Sequence, residues 1–199
     1  MDADKRLAEA IRAKDAKRVR AAIAAGAKMV GVDGDKSALH LAAAVGDEQV
    51  IEALPRAAAR KLLNELDAAD RTPLMYAAAE GNVQTAKLLI ELGAKVNARN
   101  STGDTALRVA ASDGTLQIAK LLLEAGGNPL LPGRMLLTPL DRARERHTPE
   151  GRMIAALIVR SQEPRSSART GKTAGKARKR PGASRKLKQA RRKRRSGVK

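Results

Sequence analysis

Residues 72–97 read TPLMYAAAEGNVQTAKLLIELGAKVN, and residues 105–130 read TALRVAASDGTLQIAKLLLEAGGNPL. The two stretches match position for position: a Thr-x-Leu start, an Ala-Ala pair, a Gly, a Leu pair and a second Gly. Repetition at a period of this length indicates an array of similar structural units that stack on one another. The same frame extends in both directions along the chain.

The frame occurs five times. SALHLAAAVGDEQVIEAL begins at Ser37, TPLDRARERH begins at Thr138, and a degenerate copy, RLAEAIRAKDAKRVRAAIAAGAK, opens the chain. Successive copies are separated by 32, 35, 33 and 33 residues, counted between their first leucines, which are Leu7, Leu39, Leu74, Leu107 and Leu140. This nearly constant period predicts five stacked units, because one such unit has too little apolar surface to fold alone.

Each unit is predicted to contain two helices, a turn between them and a projecting segment after them. Thr72 can cap the first helix through its hydroxyl, and Pro73 fits the first helical position, where no N–H is needed. Gly81 and Gly93 are expected to end the two helices in a left-handed conformation. The buried side of the second helix is predicted to consist of Ala86, Leu88, Leu89 and Ile90.

This pattern resembles the ankyrin repeat. The residues that carry the resemblance are Thr72-Pro73-Leu74, Ala77-Ala78, Gly81, the Leu39-His40 pair and the Gly93-Ala94 turn. The resemblance covers about residues 3–160. It implies an all-α solenoid of helix-turn-helix units with short projecting fingers, in which His40 hydrogen-bonds neighbouring loops.

The repeat frame divides residues 1–162 into an N-terminal cap, three internal repeats and a C-terminal cap. These units are expected at about residues 3–32, 33–66, 67–99, 100–132 and 133–160. The charges of the first copy, and Arg142, Arg144 and Arg146 of the last, suit outer faces that meet water.

One connection departs from the regular repeat. The stretch PRAAARKLLNELDAADRTPL, which follows Leu54, is two residues longer than its counterparts and lacks their Gly-Ala turn. Pro55 should end the second helix of that repeat early, and Leu62 and Leu63 should pack back on the stack.

Three fingers also depart from the family pattern. Asp35, Asp70 and Leu136 stand where the resemblance places a finger-tip Gly. Asp tolerates the left-handed conformation and Leu does so poorly, so irregular fingers are expected at these three places.

The resemblance implies a protein-binding surface on the concave face, formed by finger tips and by exposed positions at the end of each first helix. These positions carry both signs of charge, so they do not define the charge of the partner. They are Lys36, Val45, Arg71, Glu80, Arg99, Ser101, Asp104, Ser112 and Asp113.

No catalytic or cofactor motif is found in the sequence. Cys is absent, which excludes disulfides, thiol catalysis and Cys-ligated zinc. His40 and His147 have no further metal ligand at a useful spacing. Gly171-Lys172-Thr173 lacks the preceding Gly and the strand of a phosphate loop. We therefore expect neither an enzyme nor a bound cofactor or metal.

The charge is concentrated at the end of the chain. Residues 1–162 hold 24 Lys+Arg and 20 Asp+Glu, a net +4, whereas residues 163–199 hold 16 Lys+Arg and one acid, a net +15. Few apolar residues occur in that last stretch, so it is predicted to be a disordered basic tail. Its cations can neutralise nucleic-acid phosphates, and no interleaved aromatic residue is available to stack on bases.

The tail allows a second interpretation and a third. Lys179-Arg180, ten residues and then residues 191–194, RRKR, have the spacing of a bipartite nuclear-import signal and resemble the nucleoplasmin type. Alternatively, the tail only solubilises the chain. The candidate residues for contact with nucleic acid or an import receptor are Lys179, Arg180, Arg185, Lys186, Lys188, Arg191, Arg192, Lys193, Arg194 and Arg195.

The favoured function is a monomeric protein-interaction adaptor whose tail tethers it to nucleic acid. The alternatives are a nuclear-targeted adaptor or effector, and an inhibitor of another protein with a tail that only solubilises. The charged N-terminal stretch does not resemble a secretory signal, and no apolar run has membrane-spanning length. We therefore expect no membrane partner and a cytoplasmic or nucleoid-associated location, or a nuclear one in a eukaryotic cell or after delivery to a host cell.

Overall fold

The computed structural model describes residues 2–163. These residues form eleven α-helices and one 3-10 turn, at Arg134–Leu136. The helices are α1 Ala3–Arg12, α2 Ala16–Ala24, α3 Ala38–Val45, α4 Glu48–Ala53, α5 Arg56–Leu62, α6 Pro73–Ala79, α7 Val83–Leu92, α8 Ala106–Ser112, α9 Leu116–Glu124, α10 Pro139–Glu145 and α11 Pro149–Gln162.

The helices stack in two layers. In the first layer, α1, α3, α6, α8 and α10 each contact the next. In the second layer, α2, α4, α7, α9 and α11 do the same, and each pairs with a first-layer helix of its own repeat. A continuous core runs between the layers because every repeat buries its apolar side against its neighbours.

The first helix of each of the last four repeats begins at a capping hydroxyl. The Thr72 Oγ1 accepts a hydrogen bond from the Met75 N–H at 3.3 Å, and Pro73 occupies the first helical position, as predicted. The same bond of 3.3 Å is made by the other three caps, Ser37, Thr105 and Thr138. The repeated Ser/Thr of the sequence therefore fixes where each first helix starts.

Small residues allow the first-layer helices to approach closely. The paired alanines of the three internal repeats, such as Ala77 and Ala78, are fully buried. Gly114 extends this close contact, because a Cβ built on it would lie 2.5 Å from the Ala78 carbonyl oxygen. A larger residue there would force neighbouring repeats apart.

The buried side of α7 differs in part from the prediction. Ala86 and Leu89 are fully buried as expected, but Leu88 and Ile90 are only half buried, and Thr85 is buried instead. The core-facing stripe therefore follows positions i, i+1 and i+4, and the second Leu of each Leu pair carries most of the packing.

The predicted break at Pro55 is confirmed. The helix α4 ends at Ala53, and Pro55 precedes the separate helix α5. Leu62 and Leu63, at the end of α5, are 8% and 3% exposed and join the core. The extra residues form a short helix because Pro55 cannot continue α4 but can precede a new first turn.

All four fingers close with the same hydrogen bond, from a backbone N–H to the carbonyl four residues later, at 2.9–3.1 Å. Asp70 and Leu136 adopt the left-handed conformation with φ of 60°, where the third finger has Gly103. The first and fourth fingers are irregular, as expected, because Gly34 instead of Asp35 is left-handed in the first and Met135 is left-handed beside Leu136 in the fourth. The second finger is regular, because Asp70 takes the conformation of Gly103. The bonds from residue to residue are Val32 to Lys36, Asp67 to Arg71, Asn100 to Asp104 and Gly133 to Leu137.

Candidate protein-binding face

Four of the predicted contact residues lie at the carboxyl ends of first-layer helices. Val45 ends α3, Glu80 follows α6, and Ser112 and Asp113 end and follow α8. Glu80 and Asp113 are exposed, whereas Val45 and Ser112 are half buried. Among residues 2–163 neither the Glu80 nor the Asp113 carboxylate has an ion-pair partner, so both are available to another molecule.

Three predicted contact residues of the third finger instead bond to neighbouring fingers. The backbone N–H and the hydroxyl of Ser101 donate to the Asp70 carboxylate, at 3.1 and 2.5 Å. The guanidinium of Arg99 donates to the carbonyls of Gly103 and Pro132, at 3.2 and 2.8 Å. These bonds hold successive fingers in register.

The third of these residues, Asp104, forms an ion pair with Arg108 and accepts a hydrogen bond from the Arg134 N–H at 3.1 Å. Arg108 is 3% exposed, and its guanidinium also donates to the carbonyls of Leu137 and Arg134, both at 3.2 Å. Burial lowers the pKa of Arg108 and Asp104 acts in the opposite direction, so the guanidinium stays charged. This buried pair attaches the fourth finger to the third repeat.

His40 occupies the same repeat position as Arg108, two repeats earlier. Like Arg108, it bonds to carbonyls of the next finger. Its Nδ1 accepts from the backbone N–H of Ser37, and its Nε2 lies 3.0 Å from the carbonyl oxygens of Glu65 and Arg71. This geometry requires a neutral ring with the proton on Nε2. Burial lowers the pKa of His40, which favours that neutral form.

Tyr76, the single Tyr of a chain without Trp or Phe, lies beside His40. Its hydroxyl donates to Asp67 Oδ2 at 2.7 Å. Burial, together with the hydrogen bond and the negative charge of Asp67, raises the pKa of Tyr76 to about 12. Asp67 in turn accepts from the backbone N–H groups of Ala69 and Arg71, and thereby shapes the second finger.

The remaining two predicted contact residues converge on the ring of Tyr76. The Lys36 Nζ lies 5.2 Å from the ring centroid, and the Arg71 Cζ lies 5.7 Å from it. Both distances are within the range of cation–π attraction. Neither cation forms an ion pair with a carboxylate of residues 2–163.

Six of the nine predicted residues thus lie at the ends of first-layer helices or at the finger bases that precede them, and none of these six side chains forms a hydrogen bond or ion pair among residues 2–163. We call this set the first-helix face. It consists of Lys36, Val45, Arg71, Glu80, Ser112 and Asp113.

The repeat pattern can now be compared with known families. A family model described as ankyrin repeats, with three copies, matches residues 7–100 and 39–132. The chain belongs to the ankyrin-repeat family. The predicted family and the all-α repeat architecture are confirmed by this match and by the two helix layers. Ankyrin repeats are in general protein–protein interaction modules, and their proteins are typically non-enzymatic scaffolds.

The asparagine side chains that connect neighbouring ankyrin repeats were not predicted from the sequence. Asn82 Nδ2 donates to the carbonyls of Ala43 and Ala44, at 3.1 and 3.0 Å. Asn64 and Asn97 each accept, on Oδ1, from a backbone N–H of the following repeat at 2.8 Å. Asn64 and Asn97 are separated by 33 residues, one repeat period, and this recurrence in the sequence could have indicated their shared role.

Two features of the described part of this ankyrin protein bear on other functions. Its His, Asp and Glu side chains, over residues 2–163, form no group of three or more that could hold a metal ion. No helix in the same range combines the length and the apolarity that a membrane crossing requires. The predicted tail contacts, from Lys179 to Arg195, lie outside the residues that the structure describes.

Proposed function

We propose that this ankyrin-repeat protein is a non-enzymatic adaptor. In this proposal the first-helix face binds a partner protein, and the basic residues 163–199 tether the chain to nucleic acid. The observation that carries the first half is that Glu80 and Asp113 are exposed and that neither carboxylate has a hydrogen-bond or ion-pair partner among residues 2–163. Polar residues that a rigid scaffold positions at turns are a common location of binding side chains.

The position of these residues supports the proposal further. They sit on the ends of rigid helices whose starts are fixed by capping hydroxyls and whose inner sides are fully buried. A partner therefore meets preorganised side chains and little conformational entropy is lost on binding.

The test of this half is site-specific photo-crosslinking in the full chain. A photoreactive residue at Glu80 or Asp113 should capture the same protein from cells of the source organism. The matched positions are Glu91 and Glu124, which are exposed on the second helix layer. Capture of that protein with equal yield from the second layer would refute the assignment of the face.

The second half of the proposal rests on the charge of residues 163–199, 16 Lys+Arg against one acid. If about six to ten of these cations contact phosphates, affinity for duplex DNA should fall by about 10³–10⁵ between 50 and 200 mM salt. Sequence preference should be weak, because the tail has no aromatic residue to stack on bases. Binding of DNA that is strong and insensitive to salt would refute this half.

A nuclear address is the second candidate, favoured by the spacing between Lys179-Arg180 and residues 191–194. The substitutions Lys179→Ala and Arg180→Ala separate the two. They should abolish nuclear entry if the tail is an import signal, and should weaken DNA binding only modestly, because 14 of the 16 tail cations remain.

A further inference from the structure

Two cations lie near the ring of the largely buried Tyr76, and neither forms an ion pair with a carboxylate of residues 2–163. Lys36 and Arg71 hold equivalent positions at the bases of the first and second fingers, next to the capping residues Ser37 and Thr72. The distances of 5.2 and 5.7 Å to one centroid limit the separation of the two charges to about 11 Å. Two like charges within this distance repel each other weakly, and a negative group placed between them would be attracted to both.

One carboxylate of each of the first two fingers is already engaged. Asp67 accepts the Tyr76 hydroxyl on Oδ2 and two backbone N–H groups on Oδ1. At the other finger, Asp33 forms its ion pair with Arg12, at 2.6 Å. The fold therefore uses these two acids elsewhere, and Lys36 and Arg71 form no ion pair with residues 2–163.

The backbones of the two cationic residues are held firmly. Arg71 donates its N–H to Asp67, and its carbonyl accepts from both the Asp67 N–H and the His40 ring. Lys36 has its carbonyl bonded to the Val32 N–H at 2.9 Å. Both side chains thus project from fixed points, which lowers the entropy cost of binding a ligand.

We propose that Lys36, Tyr76 and Arg71 form a docking site for an acidic segment of the partner protein. This inference rests on the proposed function of the first-helix face and names the chemistry of its partner. In an extended segment the side chains of residues i and i+2 project from the same side, about 7 Å apart. Two carboxylates at that spacing can each pair with one of the cations.

The rest of the face favours a protein segment over a nucleic acid. Glu80 directly follows α6, the helix that carries Tyr76, and Asp113 occupies the equivalent region one repeat later. A phosphate backbone that followed the stack would meet these uncompensated carboxylates. A peptide whose acidic residues lie only beside Tyr76 avoids these carboxylates. Its following residues can donate hydrogen bonds to Glu80.

The site carries its own reporter, because Tyr76 is the only Tyr and the chain has no Trp. A short poly-glutamate peptide, capped at both ends, is the probe, and the full chain is titrated while tyrosine fluorescence is recorded. The probe can also bind the basic tail, but that binding is common to all variants. The fluorescence of Tyr76 therefore reports the site through the difference between variants.

The test variant combines Lys36→Gln with Arg71→Gln, and the control combines Arg60→Gln with Lys61→Gln. The control residues are exposed on α5, so both variants lose the same charge from the same repeat stack. The proposal expects the fluorescence midpoint to weaken by about tenfold in the test variant only, as for the loss of two partly exposed ion pairs.

A second variant, Lys36→Arg, keeps the charge and should keep the midpoint within about threefold of the original chain. Equal midpoints in the test and control variants would overturn the proposal, as would tyrosine fluorescence that does not respond to the peptide. A single-stranded oligonucleotide that displaces the peptide from Tyr76 at equal charge would also overturn it and assign the site to nucleic acid. This test requires no natural partner. Its failure would therefore overturn the acidic docking site without deciding whether the first-helix face binds a protein, which the crosslinking test measures separately.

Discussion

The ion pair between Arg108 and Asp104 offers the sharpest test of how the fourth finger is attached. Replacing Arg108 by Met removes the charge and keeps an apolar stem of similar length; Met75 occupies the same position one repeat earlier and is fully buried. The change leaves Asp104 without its ion-pair partner and removes the guanidinium donors of the Leu137 and Arg134 carbonyls, each of which keeps one backbone N–H donor.

The magnitude follows from this loss. Removing one partner of a buried ion pair costs about 3–5 kcal/mol. The Asp104 side chain is 18% exposed, so water can reach it and the cost should lie at the lower end, about 3 kcal/mol. Urea unfolding of the full chain, followed by far-UV circular dichroism, measures the free energy of unfolding, and equal m-values show that the transitions are comparable.

Two further variants make the test specific. Arg108→His should lose less than Arg108→Met at neutral pH, because His40 shows that a neutral ring at this position can donate to the next finger. When Asp104→Asn is added to Arg108→Met, the combined loss should be smaller than the sum by at least about 1 kcal/mol. A loss below about 1 kcal/mol for Arg108→Met, or strictly additive losses, would refute the reasoning.

Four other outcomes follow from the same structure. Leu89→Ala should lower the free energy of unfolding by about 2–5 kcal/mol, and the half-buried Leu88→Ala by clearly less, in the same urea assay. Asn82→Ala removes two bonds to carbonyls of α3 and should cost about 1–3 kcal/mol, measured by the shift of the urea midpoint. The pKa of His40 is lowered from 6.5 in the fold, so its unfolded form binds the proton first as the pH falls. Stability should therefore be fully present above about pH 6.5 and decline below it, and His40→Met should flatten the decline; a chain that gains stability on acidification would contradict this. Finally, residues 1–163 alone should give a helical circular dichroism spectrum, because the described core lies between Leu7 and Ile158, and an unfolded spectrum would contradict this.

The sequence was sufficient for those parts of the fold that depend on local chemistry. Thr72 and Pro73 define a helix start, and Pro55 ends α4, because capping and a missing N–H act within one turn. For the first finger the sequence predicted an irregular conformation but not which residue would be left-handed. Gly34 and Asp35 are neighbours that both tolerate a left-handed conformation, so the surrounding hydrogen bonds decide which of the two adopts it.

The hydrogen bonds and ion pairs that connect neighbouring repeats could be identified only from the structure. The repeat period shows that Arg108 and His40 share one position, but not that a charged side chain there reaches two carbonyls about 30 residues away. For the same reason Ser101 and Asp104 were predicted only as contact residues, although their polar atoms bond to neighbouring fingers. Sequence spacing determines which residues share a face. The distances between fingers determine which of these residues keep polar groups free to bind another molecule.

The adaptor proposal is tested most directly by asking whether one chain holds DNA and a protein at once. Beads coated with duplex DNA are loaded with the full chain at low salt and exposed to a lysate of the source organism. We predict that a protein is retained, and that Glu80→Lys with Asp113→Lys releases it while the chain stays on the DNA. The control, Glu91→Lys with Glu124→Lys, makes the same charge change on the second helix layer and should retain the protein. A chain that does not hold the DNA, or a retained protein that is indifferent to the first-helix face, would contradict the account.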